Sequence, residues 1–321
     1  MSVTSTVAPA RKGGDNVSLE ATSSRWGEKA VVAWLFLCGA LSVLVTVGIV
    51  VSLVGPAVEF FRAVSPGQFF STDDWAPRQD LFGVSRLVAG TAAVVLYSCI
   101  VALPAGLGAA IFLNEYAKPR TRRILKPLLE VLEGVPTVAY GFFAFVFVTP
   151  LIREWWPTFL PGKLGEAPGI FSVGAAGLVL GIMIIPTVAS ISQDAMAAVP
   201  KGLREAAYGL GSTRRQVATE VVVPAALSGI IASFVLGVSR AVGETMVVLM
   251  AAGATARLGL WPNEEALPMT AFIARTSTGD IATGTTIYYT VFAVGSLLFL
   301  ITFTMNYFSA RLVRRFREAY E

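Results

Sequence analysis

The sequence has no histidine, only two cysteines and few charges. Asp, Glu, Lys and Arg make up 14% of its 321 residues, against about 25% in soluble domains. Without histidine there can be no zinc-protease motif, imidazole metal site or histidine acid–base catalysis, and no metal site is expected. Cys38 and Cys99 each lie inside an apolar block and read as small buried hydrophobic residues, with a disulfide or redox pair as the alternative. A nucleotide-binding P-loop, G-x-x-x-x-G-K-[ST], is also missing. Its nearest approach, Gly162-Lys163, is followed by Leu164. The chain is therefore expected to be neither an enzyme nor a holder of cofactors, and any ATP that drives it belongs to a separate protein.

What is present is apolar: 55% of the residues are hydrophobic. The charge is missing from long blocks, which is the signature of membrane spans of about 20 residues. Blocks free of charge run over 30–58, 87–114, 134–152, 167–193 and 281–310, and a further block, 221–256, is interrupted only by Arg240 and Glu244. The expected fold is an all-α integral membrane protein with six transmembrane helices over 30–310. Residues 1–29 and 311–321 form tails. The first tail lacks the apolar region of a signal peptide and is rich in Ser, Thr, Gly and charge, so it is expected to be disordered. Lys and Arg in the tails and the second and fourth loops number seventeen, against seven in the other loops, which places both termini in the cytoplasm. The net charge of +4 follows from these loop clusters rather than from nucleic-acid binding. Trp75, Trp155, Trp156 and Trp261 fall in the outer loops and are expected at the membrane–water interface.

The fourth loop is structured by its own residues. Pro200 can open a helix, Gly209 or Gly211 can end it in a left-handed turn, and Thr213-Arg-Arg-Gln216 reads as a capping box for a second helix. Pro224 then stops or kinks that helix. Within 194–224 stand Glu205-Ala206-Ala207, Gly211, Val221, Val223 and Pro224, which resemble the EAA loop of bacterial ABC importer permeases. That resemblance implies a short helix that docks on an ATPase, with Arg204, Glu205, Ala206 and Ala207 at the contact and Gly211 setting the angle. The alternative is a helix pair that merely joins two spans.

Arg240 and Glu244 lie in the middle of the fifth span. A charge there costs about 2.5–3.5 kcal/mol on insertion scales and marks a transport path by default. Four residues apart on a helix, the two share a face and can pair, so the alternative is an ion pair that locks packing. Beside them Gly229, Ser233, Gly237, Ala241 and Thr245 recur every fourth residue, a small-residue stripe for the close approach of another helix, expected to be that of a partner permease. The Arg240 guanidinium suits an oxyanion. Glu244 is expected to hold it when no anion is bound, leaving a transient, low-affinity contact.

Four stretches together resemble the PstC-type permease of the bacterial phosphate importer. They are Trp75-Ala-Pro77 with Phe82-Gly83, Lys126-Pro-Leu-Leu-Glu130 through Glu133-Gly-Val-Pro136 to Tyr140-Gly141, the EAA loop, and Arg240-Ala-Val-Gly243-Glu244-Thr245. Thr137, Ala139 and Ser239 depart from the usual residues of these segments. The resemblance implies a type I ABC importer permease fold in the bacterial inner membrane and inorganic phosphate as substrate. It also implies a PstA-type permease, two PstB-type ATPases and a PstS-type phosphate-binding protein as partners. An importer of sulfate or molybdate would use an Arg in the same way. A secondary transporter or channel does not account for the EAA loop, and an intramembrane enzyme lacks a nucleophile–base pair.

Overall fold

The structure, a computed structural model, describes residues 26–71, 74–159, 161–257 and 261–315, with side chains as far as Arg311. Two compact units divide the chain, Met1–Val51 and Ser52–Glu321. In the first, the described residues are the opening turns of helix α1, Trp26–Ala63. Residues 26–29 are therefore helical rather than part of a disordered tail, while 1–25 lie outside the described residues. Trp34, Phe36, Leu41 and Val47 are exposed on α1, and Cys38 is exposed as well. This corrects the expectation of a buried thiol: a helix that is apolar all round takes its apolar environment from the bilayer. Cys99 is half-buried, and both thiols are free.

In the second unit α1 ends in an aromatic knot, where Phe60 meets Phe61, Phe69 and Phe82 edge-on at 5.2–5.5 Å. A two-residue antiparallel ladder, Trp75–Ala76 (β1) on Leu81–Phe82 (β2), closes the knot. Trp75 is buried there against Phe272 at 5.0 Å, so packing, not the membrane interface, explains this tryptophan. Next come α2, Ser85–Ile111, and α3, Pro119–Glu133. The chain breaks at Gly134-Val135-Pro136 and resumes as α4, Thr137–Phe143, whose helical path runs on to Glu154. Helix α5, Val173–Ala197, opens on Ser172, whose hydroxyl accepts from the Ala175 amide at 3.1 Å.

Helix α5 is the central rod. Two-thirds of its apolar stretch is buried, and glycine lets it lie close on α2: a Cβ at Gly181 would come within 2.9 Å of the Ser98 carbonyl oxygen. Further along the chain come α6, Lys201–Gly209; α7, Leu227–Gly243; α8, Met246–Ala251; α9, Met269–Thr278; and α10, Thr286–Arg315. Helix α10 continues past the expected start of the last tail at 311, and residues beyond 315 lie outside the described residues. Among the described residues, five helices are long and apolar enough to cross a membrane, or six if the pair 214–225 and 227–243, bent by 73°, counts as one span. The break falls at Ala226, two residues after Pro224, which opens the short helical piece Val223–Ala225. The fifth block differs from the expected single helix. It stops at Gly243, passes through an extended Glu244 and restarts at Met246.

Candidate functional site

Arg240 and Glu244 occupy the two sides of that interruption, and they are not each other's partners. The residue at 244 has left the helix (φ −67°, ψ 132°), so the four-residue helical spacing that would align the pair is gone. The Glu244 carboxylate instead accepts from the amides of Met246 at 3.0 Å and Val247 at 3.4 Å, closing the start of α8. Its carbonyl takes the Thr270 hydroxyl at 2.7 Å, and the residue is buried. Helix α8 cannot supply partners for its own first amides, and an acceptor of negative charge fits that end. The expected Arg240–Glu244 pair is thus corrected: Glu244 holds the backbone of the break.

Arg240 reaches across to two other elements. Its Nη1 donates to Glu133 Oε1 at 2.9 Å and to Thr187 Oγ1 at 2.7 Å. The Thr187 hydroxyl donates to the same Glu133 oxygen at 2.9 Å. Glu133 is the last residue of α3, directly before the Gly134–Pro136 break, and Thr187 sits mid-way along α5. The Arg240 and Glu133 side chains are 29% and 38% exposed, so the pair borders open space. Glu133 closes a charged segment just ahead of the third apolar block, where a sequence reading leaves it outside the span. Thr187 looks like any polar residue of a buried helix. Only the fold brings them together, although Glu133 is an acid beside a glycine and a proline, the mark of a helix end.

The small-residue stripe also has a different neighbour from the one expected. Ser233 shares a hydrogen bond of 2.7 Å with Ser192. A Cβ at Gly229 would overlap Ala195 at 2.3 Å, and one at Gly237 would meet Val188 at 3.0 Å. Ala241 is buried, while Thr245 falls beyond the end of α7. The stripe packs α7 onto α5 of the same chain, and close backbone approach is what such a stripe provides.

The fourth loop folds as its residues dictate. Pro200 precedes α6, and Gly211 takes φ +84° just after it. The Thr213 hydroxyl and Gln216 side chain complete the capping box. Glu205 and Ala206 are exposed on α6 together with Leu203 and Tyr208, and Leu210, just past its end, is 88% exposed. Arg204 and Ala207 point inward, which corrects their place on the contact face. Ala207 joins Met196, Val199 and Val217 in a small core. Arg204 donates to the carbonyls of Met196 at 2.7 Å and Val199 at 3.1 Å. Its Nε lies 3.4 Å from Glu115 Oε1, a charge contact without the alignment of a hydrogen bond.

Residues 102–318 match the model of a family described as the binding-protein-dependent transport system inner membrane component. The chain is 34% identical over 282 residues to the probable ABC transporter permease protein YqgH of Bacillus subtilis, covering 85% of this chain and 88% of that protein. It is 33% identical over 298 residues to the phosphate transport system permease protein PstC of Haemophilus influenzae, covering 90% and 93%. Among solved structures it is similar to a chain of a bacterial ABC transporter involved in the import of the acidic polysaccharide alginate. There the TM-score is 0.62 at 13% identity, over 92% of this chain and all of that one. The shared fold is that of a type I ABC importer permease.

Proposed function

We propose, from the premise that this chain belongs to the family of binding-protein-dependent transport system inner membrane components, that it is the permease subunit of an ATP-driven importer of inorganic phosphate. The likeness to the phosphate permease of Haemophilus influenzae over nine-tenths of both chains carries the choice of substrate. The Arg240 cluster supplies chemistry that suits it: a guanidinium held by side chains, still partly exposed, whose planar fork of donors matches an oxyanion. In this reading Arg240 makes a transient contact with the anion, weak enough to release it, and Glu244 keeps the chain broken beside it.

The family is one of binding-protein-dependent transport, so a second permease, an ATPase and an extracytoplasmic binding protein are its general partners. The finer assignment is a PstA-type permease, two PstB-type ATPases and a PstS-type phosphate-binding protein. Both termini and the loop 194–224 then face the cytoplasm, and the chain resides in the bacterial inner membrane. The exposed Leu203, Glu205, Ala206, Tyr208 and Leu210 form the face offered to the ATPase, an apolar ridge whose acid, Glu205, stands four residues after the exposed Lys201. Gly211 sets its angle. ATP is hydrolysed by the partner, and this chain binds no cofactor.

The test is uptake of radiolabelled phosphate by cells lacking their own phosphate permease and supplied with this chain and its partners, with sulfate and molybdate as competitors. ATP-dependent uptake insensitive to both is the expected result. Inhibition by either moves the substrate to that oxyanion.

A further inference from the structure

We infer that Glu133 is an internal stand-in for the transported anion: its carboxylate occupies the oxyanion position on Arg240 and Thr187, and phosphate advances by displacing it. The inference rests on the phosphate-permease reading above.

One carboxylate oxygen, Glu133 Oε1, takes both the Arg240 guanidinium and the Thr187 hydroxyl at 2.9 Å. A guanidinium beside a hydroxyl is also what a phosphate oxygen requires, because both anions accept short, charge-assisted hydrogen bonds from the same donors. The two cannot share the donors without like-charge repulsion, so occupation is competitive. With Glu133 in place the cluster is neutral; when it withdraws, an uncompensated cation faces the open side. Displacement lowers the net affinity for phosphate, which suits a site that must let the ion go.

A fixed lock would be built differently. Every partner of Arg240 in this cluster is a side chain, able to exchange without unwinding a helix. The ion pair is also partly exposed, so water and an anion can reach it. Glu133 is the last residue before Gly134-Val135-Pro136, a break between α3 and α4 where the helical ladder is already interrupted. The body of α3 stays tied to α5 through Lys126 and Asp194 at 3.0 Å, so Glu133 can let go without detaching its helix. Ligand-driven exchange needs such a differential between two local states.

The experiment uses the complete importer in proteoliposomes loaded with inorganic phosphate, without ATP, and follows phosphate efflux. At sub-saturating phosphate, where occupancy of the Arg240 site rather than release limits the flux, Glu133→Ala and Glu133→Gln are expected to raise it about tenfold, the change for losing one charge-assisted competitor. Glu154→Gln, at the far end of the following span Thr137–Glu154, is expected to match wild type. Wild-type passive flux in both Glu133 variants, in complexes that assemble and still take up phosphate with ATP, overturns the inference and leaves the phosphate reading intact. Failure of both variants to assemble identifies Glu133 as a structural lock and also overturns it. A wild-type complex that moves no phosphate with ATP overturns the substrate reading and this inference together.

Discussion

Arg204 and Arg240 are both held from α5, and they are held in opposite ways. Arg204 donates to two main-chain carbonyls, those of Met196 and Val199, and lies beside Glu115, whose side chain is only 7% exposed. Arg240 is held by the side chains of Glu133 and Thr187 and borders open space. A main-chain carbonyl cannot turn away without distorting its helix end, whereas a side chain can change rotamer. The first arrangement fastens the loop helix α6 to the ends of α2 and α5. The second leaves a cation whose partner can be exchanged. Between them Ser192–Ser233 and Lys126–Asp194 tie α5 to α7 and α3, so one rod carries both the fastened and the exchangeable arginine.

The largest expected effect tests the exchangeable member. Arg240→Ala should reduce ATP-driven phosphate uptake by about a hundredfold or more, as a charged contact made in transit is removed, with assembly retained by co-purification. Arg240→Lys keeps the charge without the planar fork and should fall between the two. Normal uptake by Arg240→Ala would remove the path role altogether. Arg204→Ala should act on stability instead. It leaves the buried Glu115 carboxylate with the Asn114 amide at 2.6 Å but without a cation, at about 3–5 kcal/mol, read as loss of the folded subunit in thermal unfolding. Arg204→Met with Glu115→Leu, which replaces the pair by apolar volume, should restore most of that stability. If Arg204→Ala melts like wild type, the contrast between the two arginines fails.

The local features of the loop were legible because short-range rules decide them. Pro200, Gly211 and Thr213 with Gln216 stand where a helix start, a left-handed turn and a cap require them, and the bend follows two residues after Pro224. The apolar blocks gave the spans for the same reason: bilayer thickness sets their length. Pairing was harder to read. Arg240 and Glu244 sit at helical spacing, but the helix ends between them, and two unpaired amides of the next helix claim the carboxylate. The true partners of Arg240 lie 107 and 53 residues away, a distance that no periodicity spans. The resemblance to the EAA loop implied a contact role for Arg204. One position of rotation, about 100° on a helix, turns it inward instead. Gly229, Ser233 and Gly237 of the stripe pack closely on α5 rather than on a partner, because a small-residue pattern does not say which helix will fill it.

Two smaller effects sharpen the comparison from the exposed side of the loop. Glu205→Lys reverses the acidic charge on the outward ridge of α6 and, in the proposed assembly, should weaken ATPase retention about tenfold, the scale of one charged contact at an interface. Co-purification at wild-type levels would count against that docking face. Thr213→Ala removes the hydroxyl half of the capping box and should cost about 1 kcal/mol, a small change in unfolding temperature. Its value lies in what it leaves alone. Arg204, Glu115 and the two carbonyls are untouched, so a fastened α6 predicts normal ATPase binding despite the weaker cap. If Thr213→Ala releases the ATPase as fully as Glu205→Lys, then the turn after α6, rather than the Arg204 fastening, positions the docking ridge.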